Sequence, residues 1–225
     1  MQNIHFQNPD YHCAYCPRLN EYLCRLREEL PGGYHGPVPA FGGLDAKLLI
    51  VGLAPGARGA NYTGRPFTGD GAGDVLYPEL TRHGFAQGEF QKHKEDGLTL
   101  INCRITNAVR CVPPENKPKG AEIKNCNIFL QNEIKAMPAL KIILTLGRIS
   151  HEAVLKALGM RKKDYLFAHG ACHKVQIQRE AQDDERPLFI VNSYHCSRYN
   201  MNTRRLTPEM FADIFKMISN LCLSK

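Results

Sequence analysis

Nowhere in its 225 residues does the chain carry an apolar run approaching the roughly 18 needed to cross a bilayer, so no membrane-spanning helix is expected. The first residues, MQNIHFQNPDYHCAYC, show no basic start followed by an apolar stretch. A secretory signal is therefore not expected, and the protein is read as cytoplasmic. Internal repeats and low-complexity tracts are missing as well. Neither GxGxxG nor GK[ST] occurs, which removes the dinucleotide fingerprint and the P-loop as explanations of any glycine-rich segment. A disulfide framework is disfavoured too, because nine cysteines is an odd number in a chain with no secretory features.

What is present is ordinary for a folded protein. Hydrophobic residues make up 43% and charged residues 23%, so wholesale disorder and collagen-like structure are ruled out. The length fits one domain over residues 1–225. A net charge of +7 agrees with a polyanionic partner, although an excess this small also occurs in proteins that never meet nucleic acid.

The hydrophobic pattern alternates between two periods. A CxxC at 13–16 runs into LNEYLCRLREEL, apolar at helical spacing, and stops at Pro31-Gly32-Gly33. AKLLIVGLAPG (46–56) reads as a buried parallel strand ending in a loop, and a helix is expected to open near Gly73. LTLINCRITNAVRC (98–111) reads as a second strand. The next helix, AEIKNCNIFLQNEIKAM, carries Ile123, Cys126, Phe129, Leu130 and Ile134 on one face. Strands follow at 141–147, 172–178 and 186–197, with helices at 149–160 and after Thr207-Pro208. Strands alternating with helices predict a three-layer α/β/α sandwich around a mainly parallel sheet. In such folds ligands sit at the C-terminal ends of the strands, here the loops 52–73, 107–118 and 193–205.

Three constellations carry chemistry. Cys13 and Cys16, with Cys111 and Cys126 arriving from distant sequence, can complete a tetrahedral sulfur set for zinc or for an iron–sulfur cluster. The plainer reading is a surface pair plus core cysteines; Cys24, Cys103, Cys172 and Cys222 are expected to be buried. The loop GLAPGARGANYTGRPFTGDGAG holds seven glycines after a strand, so its backbone can approach a ligand closely. Within it Phe67 either stacks on something flat or anchors the loop. The segment SYHCSRYNMNTRRLTPE places His195 just past a strand in polar company, and Arg198, Arg204 and Arg205 there bind phosphates or form a solvated face. Lys117 and Lys119, or Arg161, Lys162 and Lys163, allow the same pair of readings more weakly.

Together CAYCPRL, VGLAPGARGANYTGRPFTGDGAGDVLYPEL, DGLTLINCRITNAVRCVPPENKP, the Cys126 helix and YHCSRYNMNTRRLT resemble the family 5, or type B, iron–sulfur uracil-DNA glycosylases. The resemblance runs from residue 13 to about residue 207. It implies a 4Fe-4S cluster on Cys13, Cys16, Cys111 and Cys126 that is structural rather than catalytic. It further implies hydrolysis of uracil and other damaged bases from double- and single-stranded DNA by a monomer. Ala54, Gly56, Phe67, Asn107 and Ser197 are implied at the base, and Arg198, Arg204 and Arg205 at the DNA.

Two departures matter. The sister branch, family 4, has an acidic residue where this chain has Leu53, and family 5 typically lacks it too. The usual His-Pro-Ser reads His195-Cys196-Ser197 here, which removes the fixed φ of proline. For catalysis, His195 is expected to donate to the base anion, Asn107 to read the base edge, and Asp70 or Asn61 to orient the water. A helix cap is the rival role for Asp70. Alternatives are a non-catalytic iron–sulfur nucleic-acid-binding protein and a strictly uracil-specific family 4 type enzyme.

Overall fold

The computed structural model describes residues 6–177 and 187–223. In chain order the elements are α1 (Pro17–Glu29), β1 (Leu48–Gly52), α2 (Ala60–Thr63), α3 (Gly73–Arg82), β2 (Ala86–Gln87), β3 (Thr99–Leu100) and β4 (Cys103–Asn107). There follow α4 (Gly120–Lys135), β5 (Ile142–Leu146), α5 (Arg148–Ala157), β6 (Cys172–Val175), β7 (Leu188–Ser193), α6 (Arg198–Asn202) and α7 (Pro208–Leu223). Five strands form one sheet in the order β4-β1-β5-β7-β6, parallel except for the edge strand β6.

The continuous apolar runs explain the layering, because successive side chains of a strand point to opposite faces. Leu48 and Ile50 pack with Leu76 and Leu80 of α3 and Phe211, Phe215 and Ile218 of α7. Leu49 and Val51 point the other way, onto Leu130 and Ile134 of α4 and Val154 of α5. Each such buried aliphatic chain contributes about 1.5–3 kcal/mol. The expected three-layer α/β/α arrangement is therefore the observed one. A third apolar cluster lies at one side, where Leu19, Leu23 and Leu26 of α1 meet Val109, Val112, Cys111 and Cys126. Helix α7 starts as its sequence predicts, with Thr207 Oγ1 accepting the Met210 N–H at 3.2 Å and Pro208 opening the first turn.

Some expectations need correction. The single strand expected at 98–111 is two strands: β3 pairs antiparallel with β2 in a separate ribbon, and Asn102, at φ +50°, turns the chain before β4 enters the main sheet. Alternation of side chains continued through that turn and concealed it. Cys103 is buried as expected, but Cys24 and Cys172 are exposed and Cys222 is only partly covered. Cys24 follows Leu23 onto the outer face of α1, and Cys172 opens the edge strand. The expected strands at 172–178 and 186–197 each have one end residue, 178 and 186, outside the described residues.

Candidate active site

Strands β1 and β4 run side by side and pair Gly52 with Asn107 at their C-terminal ends. A Cβ on Gly52 would lie 2.4 Å from Asn107 Oδ1 and 2.7 Å from Phe67 Cζ. Only glycine fits there, and its absent side chain is what lets the amide and the ring share one space. The Phe67 ring stacks on the His195 imidazole with centroids 5.9 Å apart and planes 26° from parallel. Phe67, widely separated from both in sequence, therefore lies beside Asn107 across Gly52 and against the ring of His195. The Asn107 amide is 4% exposed and hydrogen-bonds to nothing else among the described residues. Burial lowers the pKa of His195, an effect Asp70 opposes, so the neutral imidazole is favoured.

Phe67 adopts φ +54°, a left-handed conformation an aromatic residue avoids without outside support. The support is Arg65. Its Nη1 and Nη2 donate to both oxygens of Asp96 at 2.7 Å, and its Nε donates to Thr68 Oγ1 at 2.8 Å. The rings of Phe41, Tyr77 and Phe90 surround its guanidinium at 5.2–5.7 Å. The Tyr77 hydroxyl donates to the Pro66 carbonyl at 2.6 Å. Arg65 holds the Asp96 carboxyl well below the usual carboxylate range. Nothing in the sequence motifs indicated this clamp, because Asp96 lies in a polar connection between unrelated segments.

The two candidates for water orientation part company in the structure. Asp70 Oδ1 accepts the N–H groups of Ala72 and Gly73 at 3.1 and 3.2 Å, so it ties down the turn that opens α3, although Ala72 and not Asp70 is the N-cap residue. Its Oδ2 faces the glycine loop, 2.8 Å from where a Cβ on Gly59 would stand and 3.9 Å from one on Gly56. Asn61 is fully buried. Its Nδ2 donates to the Ala57 carbonyl at 3.2 Å and to His35 Nδ1 at 2.8 Å, while His35 Nε2 donates to the Leu30 carbonyl at 2.6 Å. Asn61 is thus tied to the back of the loop, and its Oδ1 has no partner among the described residues.

The second motif is organised by α6. Ser197 Oγ accepts the Asn200 N–H at 3.3 Å and caps the helix, while Asn200 Nδ2 holds the His195 carbonyl at 2.8 Å. Ser197 thus has a local structural task beside its expected place at the base. Cys196 is completely buried, and its thiol donates to the Ala72 carbonyl at 3.6 Å. Ala54 and Gly56 follow β1 in the loop, where the Gly56 carbonyl accepts the N–H groups of Gly59 and Asn61. Arg198, Arg204 and Arg205 are exposed. The Arg198 guanidinium lies against Gly71, and that of Arg205 sits 4.8 Å from the Tyr194 ring. By contrast Lys117, Arg161 and Lys162 each pair with a nearby carboxylate.

The four cysteines meet on the other side of the chain leaving β4. Cys13, Cys16, Cys111 and Cys126 line one cavity of about 340 Å³, mouth included, with Tyr15, Leu19, Arg110 and Phe129. Among the described residues no three His, Cys, Asp or Glu side chains stand close enough to share a single metal ion. A tetrahedral zinc, with Zn–S bonds of about 2.3 Å, requires its sulfurs to converge on one point, and among the described residues they do not. The Arg110 N–H donates to Cys126 Sγ at 3.3 Å, and Asn125 Nδ2 donates to Cys16 Sγ at 3.9 Å. Burial pushes the Cys126 thiol up to about 11 and the Cys111 thiol up as well, with Arg110 acting in the opposite sense on both.

Known proteins resemble this chain over most of its length. Residues 39–219 match the family model described as the uracil DNA glycosylase superfamily. The chain is 40% identical over 211 residues to a type-5 uracil-DNA glycosylase of Thermus thermophilus, covering 90% of each chain. It is 36% identical to a type-5 uracil-DNA glycosylase of Pyrobaculum aerophilum, covering 94% of this chain and 89% of the other. A type-4 uracil-DNA glycosylase of Sulfurisphaera tokodaii is 32% identical over 79% of this chain and 72% of its own. The chain belongs to the uracil DNA glycosylase superfamily.

Proposed function

We propose that this chain is a DNA repair enzyme, a uracil-DNA glycosylase of the type-5 branch, which hydrolyses the N-glycosidic bond of uracil and other deaminated bases and leaves an abasic site. The observation that carries this reading is that Phe67 lies beside Asn107 across the bare Cα of Gly52 and stacks on His195. A base inside a duplex cannot reach such a pocket, so the nucleotide must be everted into it. Phe67 then offers a flat apolar wall, and the free Asn107 amide offers a donor and an acceptor to the base edge.

Cleavage sends the electron pair of the C1′–N bond to the base and leaves an oxocarbenium-like sugar. The neutral His195 imidazole donates an N–H toward the base oxygen where negative charge develops. Water adds to C1′ and releases a proton. Asp70 is the better acceptor for it: its Oδ2 lies open to the glycine loop, whereas Asn61 is an amide committed to His35. Asp70 thereby supplies the carboxylate that Leu53 does not, which removes the main support for a non-catalytic protein. Arg198, Arg204 and Arg205 bind the phosphates on either side of the everted nucleotide.

Cys13, Cys16, Cys111 and Cys126 would hold a 4Fe-4S cluster, since all four line one cavity and among the described residues no three converge on a single metal ion. Such a cluster supplies a covalent cross-link between the N-terminal segment and the chain after β4, and the hydrolysis itself needs no electron transfer. The test is alkaline cleavage of a labelled oligonucleotide after incubation with the protein, using uracil, hypoxanthine and etheno-adduct lesions in separate strands. Alkali-labile sites at uracil are expected; none at any lesion would sink the enzymatic reading, and cleavage at uracil alone would favour the narrower specificity.

A further inference from the structure

Beside the cysteine cavity lies a buried set of charges for which base hydrolysis has no use. Arg104, Arg110 and Glu133 are 6%, 1% and 0% exposed. Arg104 Nε donates to Oε1 of Glu133 at 2.6 Å, and Arg110 Nη2 donates to Oε2 at 2.5 Å. One carboxylate therefore serves two guanidinium groups, and the set keeps one positive charge in excess. Arg110 Nη1 is buried with no hydrogen-bond partner among the described residues. Enclosing an unbalanced charge is costly unless an opposite charge lies nearby, and the ion pairs among the described residues offer Arg110 no second carboxylate. Arg110 is also part of the cavity wall, preceding Cys111, and its main-chain N–H reaches Cys126 Sγ.

We infer that Arg110 is a positioning residue for the cofactor, its excess charge balancing the net negative charge of a thiolate-ligated cluster and its N–H fixing one ligand sulfur. This rests on the cluster reading given above. Glu133 then sets how much of the Arg110 charge reaches the cavity, and Arg104 orients Glu133.

The experiment uses the full chain after iron–sulfur reconstitution and compares the native protein with Arg110→Met, Arg110→Lys and Glu133→Gln. Iron and acid-labile sulfide are assayed first; a native chain holding neither defeats the cluster reading and this inference with it. Iron release to a chelator at neutral pH is then followed by loss of visible absorption. Arg110→Met is expected to release iron about tenfold faster, the effect of one unit charge at roughly 10 Å in a protein interior. Arg110→Lys is expected to stay near the native rate, and Glu133→Gln, which frees positive charge, to release iron more slowly. Were the set only a packing device, Glu133→Gln would hasten release as Arg110→Met does. That result, or equal rates throughout, overturns the inference. If Arg110→Met fails to fold, the sign of the Glu133→Gln change decides alone.

Discussion

Asn107 stands beside Phe67 at the end of β4 and Cys111 lines the cysteine cavity, yet the two lie a few residues apart on one short segment. The regions are built on different principles. Around Phe67 the protein completes its own geometry: a bidentate Arg65–Asp96 pair, a hydrogen-bonded Pro66 carbonyl and a cage of three rings hold one residue in a backbone conformation it would otherwise leave. Around the four cavity cysteines only two N–H···S contacts are recorded among the described residues, and no three of those side chains converge on a single-metal point. A pocket that acts on a transient, everted base has to be shaped before the base arrives. A cavity that encloses a resident group can leave its final shape to that group.

The largest effect should come from breaking the clamp. Asp96→Asn leaves Arg65, itself 4% exposed, without a counter-charge, a loss of about 3–5 kcal/mol. Thermal unfolding should shift down by about 10 °C or more. Because Arg65 holds the Asp96 carboxyl below its unfolded value, the pair contributes fully above roughly pH 4, where unfolded aspartate is ionised. That contribution fades as pH falls below this point, so Asp96→Asn should flatten the acid limb of stability against pH. An unfolding midpoint equal to that of the native protein would show that the pocket owes nothing to this pair.

Next in size are the contacts to developing charge. His195→Ala and Asn107→Ala should each slow base release about a hundredfold in single-turnover assays, near 3 kcal/mol, with duplex binding largely intact. A smaller and more local change is expected at the other region. Cys13→Ser should lower iron content and speed amide exchange across α1, while the segment around Phe67 keeps its protection and excision falls by less than about tenfold. If exchange around Phe67 quickened equally, the two regions would be one cooperative unit and the contrast between them would fail.

The chain disclosed these regions unequally, for a physical reason. Loops at strand ends carry particular residue types at fixed places, so Phe67, Asn107, His195 and the four cysteines stand out in the sequence. Layering was legible because the central strands are apolar on both faces. The residues that hold the site in place were hidden. Arg65 and Asp96 belong to separate segments, and Arg104, Arg110 and Glu133 read as ordinary charges on a strand and a helix until the fold brings them together. Between Asn61 and Asp70 the sequence leaves the choice open, because the carboxylate is the better base while the amide lies nearer the motif position; what separates them is which partner each has already taken.

The smallest effect tests how the second motif is joined to the first. Asp70 Oδ1 accepts the N–H of Ala72, and the Cys196 thiol donates to the carbonyl of the same residue. The group proposed to take the water proton and the neighbour of His195 therefore hang on one residue. A thiol–carbonyl contact of 3.6 Å is weak, so Cys196→Ala should lower stability by only about 1 kcal/mol and slow excision less than about threefold. Cys196→Pro loses the same contact but restores the stiffness proline gives at that position. Excision by Cys196→Pro at or above the native rate, beside a slower Cys196→Ala, would mean that the thiol replaces proline by bonding where proline acts by rigidity. Equal slowing in both variants would instead assign the effect to the lost bond alone.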